Sequence, residues 1–184
     1  MERSAFAPSV DALTARIDTP CTQAMITYRP ALPEDTGQCI VIRGLTRENA
    51  ISSDRLSAKG ITLESWSHDI RSGHLWGMVC LADGLMVGYC FGDRRSGEIV
   101  VLALLPDWEA QGIGRRLLHG VIDALHREGF EHLFLGCSSD PSSRSYGFYR
   151  HLGWRSTGQF DAAQDELLEY FPHNMPSAAQ PDRH

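Results

Sequence analysis

The chain has 184 residues, of which 42% are hydrophobic and 22% are charged, a composition ordinary for one soluble globular domain. Its formal net charge of −6 argues against a nucleic-acid-binding protein, and no stretch approaches the roughly 20 apolar residues of a membrane span. Five cysteines without a Cys-x-x-Cys pair, and eight histidines without ligand spacing, are typical of a reducing cytosol and of a chain with no metal site. We therefore expect a cytoplasmic protein that has no nucleic acid, membrane or metal as a partner.

The composition divides the chain into three parts. Residues 1–24 mix Ser, Ala, Pro and Thr with scattered charges, and we expect a loose N-terminal arm. Residues 25–172 carry the strand and helix patterns of one folded domain. Residues 173–184 are polar and contain proline, and we expect a disordered tail. Because the pattern changes at Met25, the sequence leaves open whether Met1 or Met25 is the biological start.

The domain begins with one strand and three helical segments. Alternation over residues 26–31 predicts the strand. Pro33 begins the first helix, because proline is favoured in a first turn. Two shorter helical segments follow at residues 47–59 and at 63–71, the latter with Thr62 as its N-cap. They are poorly patterned and suit a specificity lid better than a core.

The centre of the domain reads as a series of strands. Apolar runs at residues 75–81 and 85–93, joined by Ala82-Asp83-Gly84, predict an antiparallel hairpin. Residues 99–105 form a run rich in Val, Ile and Leu, which predicts a strand buried on both faces. Pro106 ends that strand, because proline cannot donate to a central ladder.

A long amphipathic helix follows, and Gly129 ends it. Its apolar residues recur at helical spacing: Ile113, Leu117, Leu118, Val121, Ile122 and Leu125. The remaining elements are a strand at 132–137, a helix at 144–152, and strands at 154–158 and 166–171. The fold class is therefore α/β, or α+β, with a mixed central sheet of about seven strands and about four helices on its faces.

The turn before the long helix carries the main functional signal. Unpaired N–H groups at a helix start bind anions, so we expect a phosphate-bearing ligand at residues 111–116. A dinucleotide-binding Gly-x-Gly-x-x-Gly pattern that begins at Gly112 fails, because Leu117 stands where the third glycine is needed. A Walker loop fails as well, because no Gly-Lys-Ser/Thr follows.

A third pattern fits these residues. A strand is followed by Gly112-Ile-Gly114 and a helix, and Phe148-Tyr149 stands downstream with Gly153-Trp154 after it. In this combination residues 26–171 resemble the GCN5-related N-acetyltransferase (GNAT) family, which transfers acyl groups from acyl-coenzyme A (acyl-CoA) to amines. The resemblance implies a GNAT-like fold, acetyl-CoA as the cosubstrate and a small-molecule amine as the acceptor, and it is compatible with a homodimer.

The resemblance also implies a cofactor site along the strand and the turn. The strand backbone would align the pantetheine and hold the thioester carbonyl, and the amides of the turn would bind the CoA pyrophosphate. The residues so implied are Leu102, Ala103, Leu104, Gln111, Gly112, Ile113, Gly114, Arg115 and Arg116, with Ser142 where the family often has asparagine. The two arginines are either phosphate partners or solvated helix cations. Glu109 departs from the family, which usually has Gln or Arg at that position.

Two residues are implied to be catalytic. Tyr149 resembles the family's general acid, which protonates the departing CoA thiolate, and the alternative is a packing tyrosine on an apolar helix face. Glu98 stands where the histone-acetylating branch has a general base, and the alternative is a solvated charge at a strand end. Cys137 invites an acyl-cysteine route, but no paired histidine is evident, which favours a buried structural thiol.

Two hypotheses for the function follow. The first is an N-acetyltransferase in which a primary amine attacks acetyl-CoA directly, with an acceptor pocket lined by residues 43–71, including Arg47, Asn49, Trp66 and Asp69. The second is a non-catalytic acyl-CoA binding or sensing module. The sequence leaves the acceptor, the acyl-chain preference and the oligomeric state open.

Overall fold

The structure, a computed structural model, describes residues 24–48 and 50–172. The predicted tail 173–184, all but the last residue of the predicted arm 1–24, and Asn49 of the predicted acceptor pocket lie outside these ranges. The strands and helices predicted between residues 26 and 171 are present in the predicted order, with ends that differ by a few residues.

The first four strands form one antiparallel sheet in the order β1-β2-β3-β4. They are β1 (Ile26–Pro30), β2 (Leu75–Ala82), β3 (Leu85–Asp93) and β4 (Ile99–Leu104). The hairpin between β2 and β3 turns at Asp83 and Gly84, with φ of 48° and 84°. Positive φ at both turn positions is what an Asp-Gly hairpin turn requires, so the predicted hairpin is confirmed.

The last three strands form a second antiparallel sheet in the order β5-β7-β6. They are β5 (Leu133–Cys137), β6 (Arg155–Phe160) and β7 (Glu166–Tyr170). Among the described residues, a single parallel bridge between Glu98 and Phe134 joins the two sheets. The prediction of about seven strands is confirmed, but the strands form two sheets with a gap between β4 and β5, which we call the slot.

A bulge in β4 accompanies this separation. Gly92 of β3 pairs with Ile99 and Phe91 pairs with Val101, so that Val100 has no partner on β3. A bulge bends its strand and increases the local twist. β4 therefore turns away from β5 just after the Glu98 bridge.

The described residues form five α-helices. They are α1 (Thr36–Leu45), α2 (Ser53–Ala58), α3 (Leu63–Ser72), α4 (Ile113–Arg127) and α5 (Arg144–His151). A 3-10 turn at Pro33–Asp35 leads into α1. The Thr62 hydroxyl accepts a hydrogen bond from the Ser65 N–H at 3.2 Å, which confirms Thr62 as the N-cap of α3.

The core lies on both faces of the first sheet. On one face, α4 packs with its predicted apolar stripe buried against β2, β3 and β4. On the other face, α1 and α3 cover a second cluster that includes Trp66 and Tyr89. The contact of α4 with the sheet is close: a Cβ on Gly120 would lie 2.0 Å from the sulfur of Met78.

The prediction that β4 is buried on both faces is wrong. Ile99 and Ala103 are buried, but Val100 is 37% exposed, and Leu102 and Leu104 are only partly buried. The reason is the slot, because β4 is the last strand of its sheet and no other described strand pairs with most of its outer edge.

The described cysteines, which are Cys39, Cys80, Cys90 and Cys137, are buried free thiols, as the sequence predicts. Over residues 24–48 and 50–172 no group of three or more His, Cys, Asp or Glu side chains could hold a metal ion. None of the described helices has the length and apolar character needed to cross a membrane.

Candidate active site

β4 presents half of its backbone to the slot. The N–H of Leu105 donates to the Val87 carbonyl of β3 at 2.9 Å, and Ala103, two residues earlier, faces β3 in the same way. The polar groups of successive strand residues point in opposite directions, so those of Leu102 and Leu104 point into the slot. Of the three strand residues predicted at the cofactor, Leu102 and Leu104 can therefore offer N–H groups to a ligand, whereas Ala103 uses its own within the sheet.

The turn before α4 leaves further N–H groups unpaired. Gly112 is the N-cap, with φ of 79° in the left-handed region that favours glycine. The first hydrogen bond of α4 runs from the Arg116 N–H to the Gly112 carbonyl, at 3.1 Å. The N–H groups of Ile113, Gly114 and Arg115 therefore have no partner within the helix. Within residues 24–48 and 50–172, no atom lies within 4 Å of a Cβ built on Gly112, so these residues leave the space in front of the turn open.

This turn adjoins both the slot and α5. A Cβ on Gly114 would lie 3.8 Å from the side chains of Leu102 and Phe148. The unpaired N–H groups, the slot-facing backbone of β4 and the helix that carries Tyr149 thus meet in one place. An elongated ligand with an anionic end can lie along β4 with its anion on the turn.

Two of the side chains predicted at the turn have other partners. The Gln111 amide donates to the Asp107 carbonyl at 3.0 Å and so closes the turn. The Arg116 guanidinium lies over the Tyr28 ring, 4.2 Å from its centroid, and its N–H is used within α4. Arg115 is exposed and stays a candidate phosphate partner.

Glu109, the residue that departs from the family, binds two arginines. Its Oε2 accepts a hydrogen bond from Nε of Arg47, at 2.9 Å, and another from Nη1 of Arg144. Arg47 belongs to the connection between α1 and α2, and Arg144 is the first residue of α5. The carboxylate is only 17% exposed, so its charge is compensated by the two cations rather than by water.

Tyr149 lies within an aromatic group on the slot side of α5. Its ring packs edge-on against Phe148 and Trp154, with centroids 5.1 Å and 6.0 Å away. Burial raises the pKa of its phenol; the Cys90 thiol adds to this rise, and Arg43 opposes it. The phenol therefore keeps its proton at neutral pH, as a general acid must. Its packing is compatible with either of the interpretations made from the sequence.

Glu98 lies at the bridge between the sheets. It is half-buried, and this burial raises the pKa of its carboxyl, with further rises from the charges of Asp93 and Asp161. A carboxylate with a raised pKa is a better proton acceptor than a solvated one. Glu98 stands four residues before Leu102, about 13 Å along an extended strand, so its reach to that part of the slot would be through water.

Two other predicted residues take structural positions. The Ser142 hydroxyl donates to Oδ2 of Asp140 at 2.7 Å, and the Ser142 N–H donates to Oδ1 of the same carboxylate at 2.8 Å. The hydroxyl is therefore turned toward its own loop. Cys137 is buried, and burial raises the pKa of its thiol, which disfavours the thiolate that an acyl-cysteine route needs.

The described residues of the predicted acceptor pocket take separate positions in the structure. Trp66 is 6% exposed and packs in the core against Tyr89, with ring centroids 6.2 Å apart, so its assignment to the pocket is wrong. Asp69 lies 3.8 Å from His74 near the end of α3. Arg47 binds Glu109, three residues before the N-cap of α4. These positions follow the packing of α3 on the sheet, which no local pattern reveals.

The sequence interpretation included Arg43 in the segment 43–71 without giving it a role, and it gave Arg144 none. Arg43, in the last turn of α1, is close enough to Tyr149, Tyr89 and Asp165 to oppose the rise in pKa that burial causes in each. Arg144 binds the Glu109 carboxylate. An isolated basic residue belongs to no motif. The one feature of the sequence that could have indicated a nearby arginine was Glu109, because a carboxylate beside a phosphate site needs a cation to compensate its charge.

Comparison with known proteins adds a family to this geometry. Residues 45–154, more than half of the chain, match the model of the acetyltransferase (GNAT) family. No curated protein matches the sequence.

Several solved structures share the fold. The PaiA N-acetyltransferase from Thermoplasma acidophilum, in complex with CoA, is 18% identical with a TM-score of 0.66, over 80% of this chain and 99% of that one. The yncA protein from Salmonella typhimurium, with acetyl-CoA, is 18% identical with a TM-score of 0.63, over 85% and 100%. The ribosomal-protein-S18-alanine N-acetyltransferase from Escherichia coli is 16% identical with a TM-score of 0.58, over 79% and 91%. At these identities the likeness shows the fold alone.

Proposed function

Because this chain belongs to the GNAT family of acetyltransferases, we propose that it transfers an acetyl group from acetyl-CoA to the primary amine of a small acceptor by direct attack. The observation that carries the proposal is the meeting of three features at one place. They are the slot-facing backbone of Leu102 and Leu104, the unpaired N–H groups after Gly112, and Tyr149 on α5.

The residues present fit acetyl-CoA. The open space in front of Gly112 and the unpaired N–H groups of Ile113, Gly114 and Arg115 suit a pyrophosphate, which needs donors and close approach to the backbone. The slot beside Leu102 and Leu104 suits the extended pantetheine, whose amides can pair with an open strand edge. Arg116 contributes no phosphate contact in this proposal, because Tyr28 and the helix already bind it.

The N–H of Leu104 would stabilise the negative charge that develops on the thioester oxygen during attack. A donor fixed in a strand needs no reorganisation when this charge appears, which is why backbone amides serve this purpose well. The N–H of Leu102, two residues earlier on β4, points the same way and is the second donor available to the ligand.

Tyr149 would supply the proton for the departing CoA thiolate. A phenol is protonated at neutral pH and can donate to sulfur when the thiolate forms nearby. The C–S bond breaks as the tetrahedral intermediate collapses to the amide, and the donated proton neutralises the departing sulfur.

Glu98 would take the proton from the acceptor ammonium through water. Its raised pKa, caused by burial and by Asp93 and Asp161, supports this role. Arg43 lies close to Tyr149 and also to Asp165, and charges of both signs around Arg43 favour a small polar amine over an apolar one as the acceptor.

The test is thiol release from acetyl-CoA with a panel of small primary amines, comparing the wild type with Tyr149→Phe. We expect the variant to lower kcat by about 10²-fold or more while its Kd for CoA changes little, because the phenol acts on the leaving group. Tyr146→Phe is the matched control, because Tyr146 is a tyrosine of the same helix that has another partner. The Cζ atom of Arg150 lies 3.6 Å from the centroid of the Tyr146 ring.

Two results would contradict the proposal. CoA binding without turnover on any amine would favour a non-catalytic binding or sensing module. Equal activity of Tyr149→Phe and Tyr146→Phe would remove Tyr149 from the mechanism.

A further inference from the structure

Two exposed arginines, Arg47 and Arg144, bind the carboxylate of Glu109. Glu109 lies beside the turn before α4, which we call the phosphate turn. Nε of Arg47 is 2.9 Å from Oε2 of Glu109, and Nη1 of Arg144 donates to the same oxygen. The arginine side chains are 54% and 51% exposed. Each guanidinium carries five N–H donors, and the bond to Glu109 uses one of them.

Arg144 stands in an electrostatically unfavourable position. It is the first residue of α5, where a cation opposes the helix dipole. Glu48 offsets part of this effect, because its carboxylate accepts the Arg144 N–H at 2.9 Å. The connection between α1 and α2 is thus tied to α5 through Glu48 and to the phosphate turn through Arg47.

Glu109 orients both guanidinium groups toward one neighbourhood. It lies three residues before the N-cap Gly112, so both guanidinium groups are held on the segment that leads into the unpaired N–H groups. Guanidinium groups bind phosphate oxygens with two parallel N–H bonds, and a pre-oriented pair loses little entropy when it does so.

We propose that Arg47 and Arg144, oriented by Glu109, bind a phosphate group of acetyl-CoA beside the backbone cradle of the turn. This inference rests on the proposed binding of acetyl-CoA. Arg47 and Arg144 are then cofactor-binding residues, and Glu109 is a positioning residue. This role explains why a glutamate stands at a position where the family usually has Gln or Arg. The ligand offers two phosphate sources, the diphosphate and the 3′-phosphate of the ribose.

The test measures binding, and it needs no acceptor. The Kd values of CoA, dephospho-CoA and pantetheine are measured by calorimetry for the wild type, Arg47→Gln, Arg144→Gln and Arg144→Lys. Arg55→Gln is the matched control, because Arg55 is an exposed arginine on α2 close in sequence to Arg47. Thermal unfolding of each variant shows whether it is folded.

We expect each Gln variant to weaken CoA binding about tenfold, the loss of one charge-assisted contact, and to leave pantetheine binding unchanged. Arg144→Lys should retain part of the affinity, and added salt should weaken wild-type binding more than variant binding. A loss that persists with dephospho-CoA assigns the diphosphate, and a loss that disappears assigns the 3′-phosphate.

Three results would overturn the inference. CoA binding that is unchanged in both Gln variants would show that the arginines do not touch the ligand. An equal loss for pantetheine would show that they act only on the structure of the connection. Failure of the wild type to bind CoA would reject this inference and the proposed function together, whereas CoA binding without turnover rejects only the latter.

Discussion

Gly112 and Gly84 share a left-handed backbone, with φ of 79° and 84°, and no atom in the described part of the chain lies within 4 Å of a Cβ built on either. They differ in position, because Gly84 is in the β2–β3 hairpin and Gly112 is at the start of α4. Substitution of either glycine causes the same backbone strain, but only substitution of Gly112 fills the space in front of the turn. Comparing the two variants therefore separates these two effects.

Gly112→Ala and Gly84→Ala should lower the free energy of unfolding by similar amounts, roughly 1–2 kcal/mol, because an L-residue is strained in the left-handed region. Only Gly112→Ala should weaken CoA binding, since its methyl group would occupy the space proposed for the pyrophosphate. Urea unfolding and CoA titration measure the two effects. Equal CoA affinity of the two variants would contradict the proposed cradle.

Glu98→Gln should lower kcat by about 10²-fold, in the range for loss of a general base. The wild-type rate should fall as the pH falls through the raised pKa of Glu98, because only the carboxylate accepts a proton. A pH–rate profile of kcat/KM checks this acid limb, which should be absent in the variant. An unchanged limb in Glu98→Gln would assign it to another group.

The same raised pKa has an opposite consequence for stability. A carboxyl whose pKa is higher in the folded state than in the unfolded state stabilises the fold in its protonated form, and this contribution is lost as the pH rises. Glu98→Gln should therefore have a higher free energy of unfolding than the wild type at neutral pH. Urea unfolding at two pH values tests the sign, and a less stable variant at neutral pH would contradict it.

Asp35→Asn should destabilise the fold by about 1–3 kcal/mol at neutral pH, because it removes a buried acceptor of charge-assisted hydrogen bonds. The Arg29 guanidinium donates to the Asp35 carboxylate at 2.6 Å and 2.8 Å, and the Leu32 N–H donates at 2.8 Å. The Arg29 bond is the main cause that lowers the pKa of Asp35.

A carboxyl whose pKa is lower in the folded state than in the unfolded state stabilises the fold at any pH above its unfolded-state pKa. This stabilisation is lost as the pH falls through its folded-state pKa. The difference between the wild type and Asp35→Asn should therefore narrow in acid. Asp123→Asn, on the exposed face of α4, is the control and should change little. A difference that is constant with pH would contradict the charge-based explanation.

Iodoacetamide at mildly alkaline pH should modify Cys39, Cys80, Cys90 and Cys137 slowly in the folded protein and rapidly in urea. All four are buried, and burial raises the pKa of Cys39 to about 12 and that of Cys137 above its usual value. Peptide mass spectrometry assigns the sites. Fast labelling of Cys137 in the folded state would restore the acyl-cysteine route as a candidate.

Local patterns were sufficient to predict most elements of the fold. Asp83-Gly84 predicts a hairpin because both positions need positive φ, and Thr62 predicts a helix start because its hydroxyl caps an N–H. The division into two sheets could not be predicted in this way. It depends on the bulge at Val100 and on the pairing of β5 with β7, which are relations between distant segments.

The candidate site shows the same limit. The motif around Gly112 predicts the unpaired N–H groups, because those are properties of one turn. The side-chain partners could not be read from a motif, since Arg47 and Arg144 reach Glu109 from 62 and 35 residues away in sequence. The orientation of Ala103 away from the slot depends on the register between β3 and β4.

The bridge between Glu98 and Phe134 also has a mechanical consequence. If the two sheets rotate relative to each other, their one backbone link within the described chain is the natural pivot. Points near a pivot move least, so Glu98 would stay nearly fixed while Leu104, farther along β4, would swing with the width of the slot. A wider or narrower slot would then change the distance between the Leu104 N–H and the proposed thioester oxygen without displacing Glu98, the proposed base.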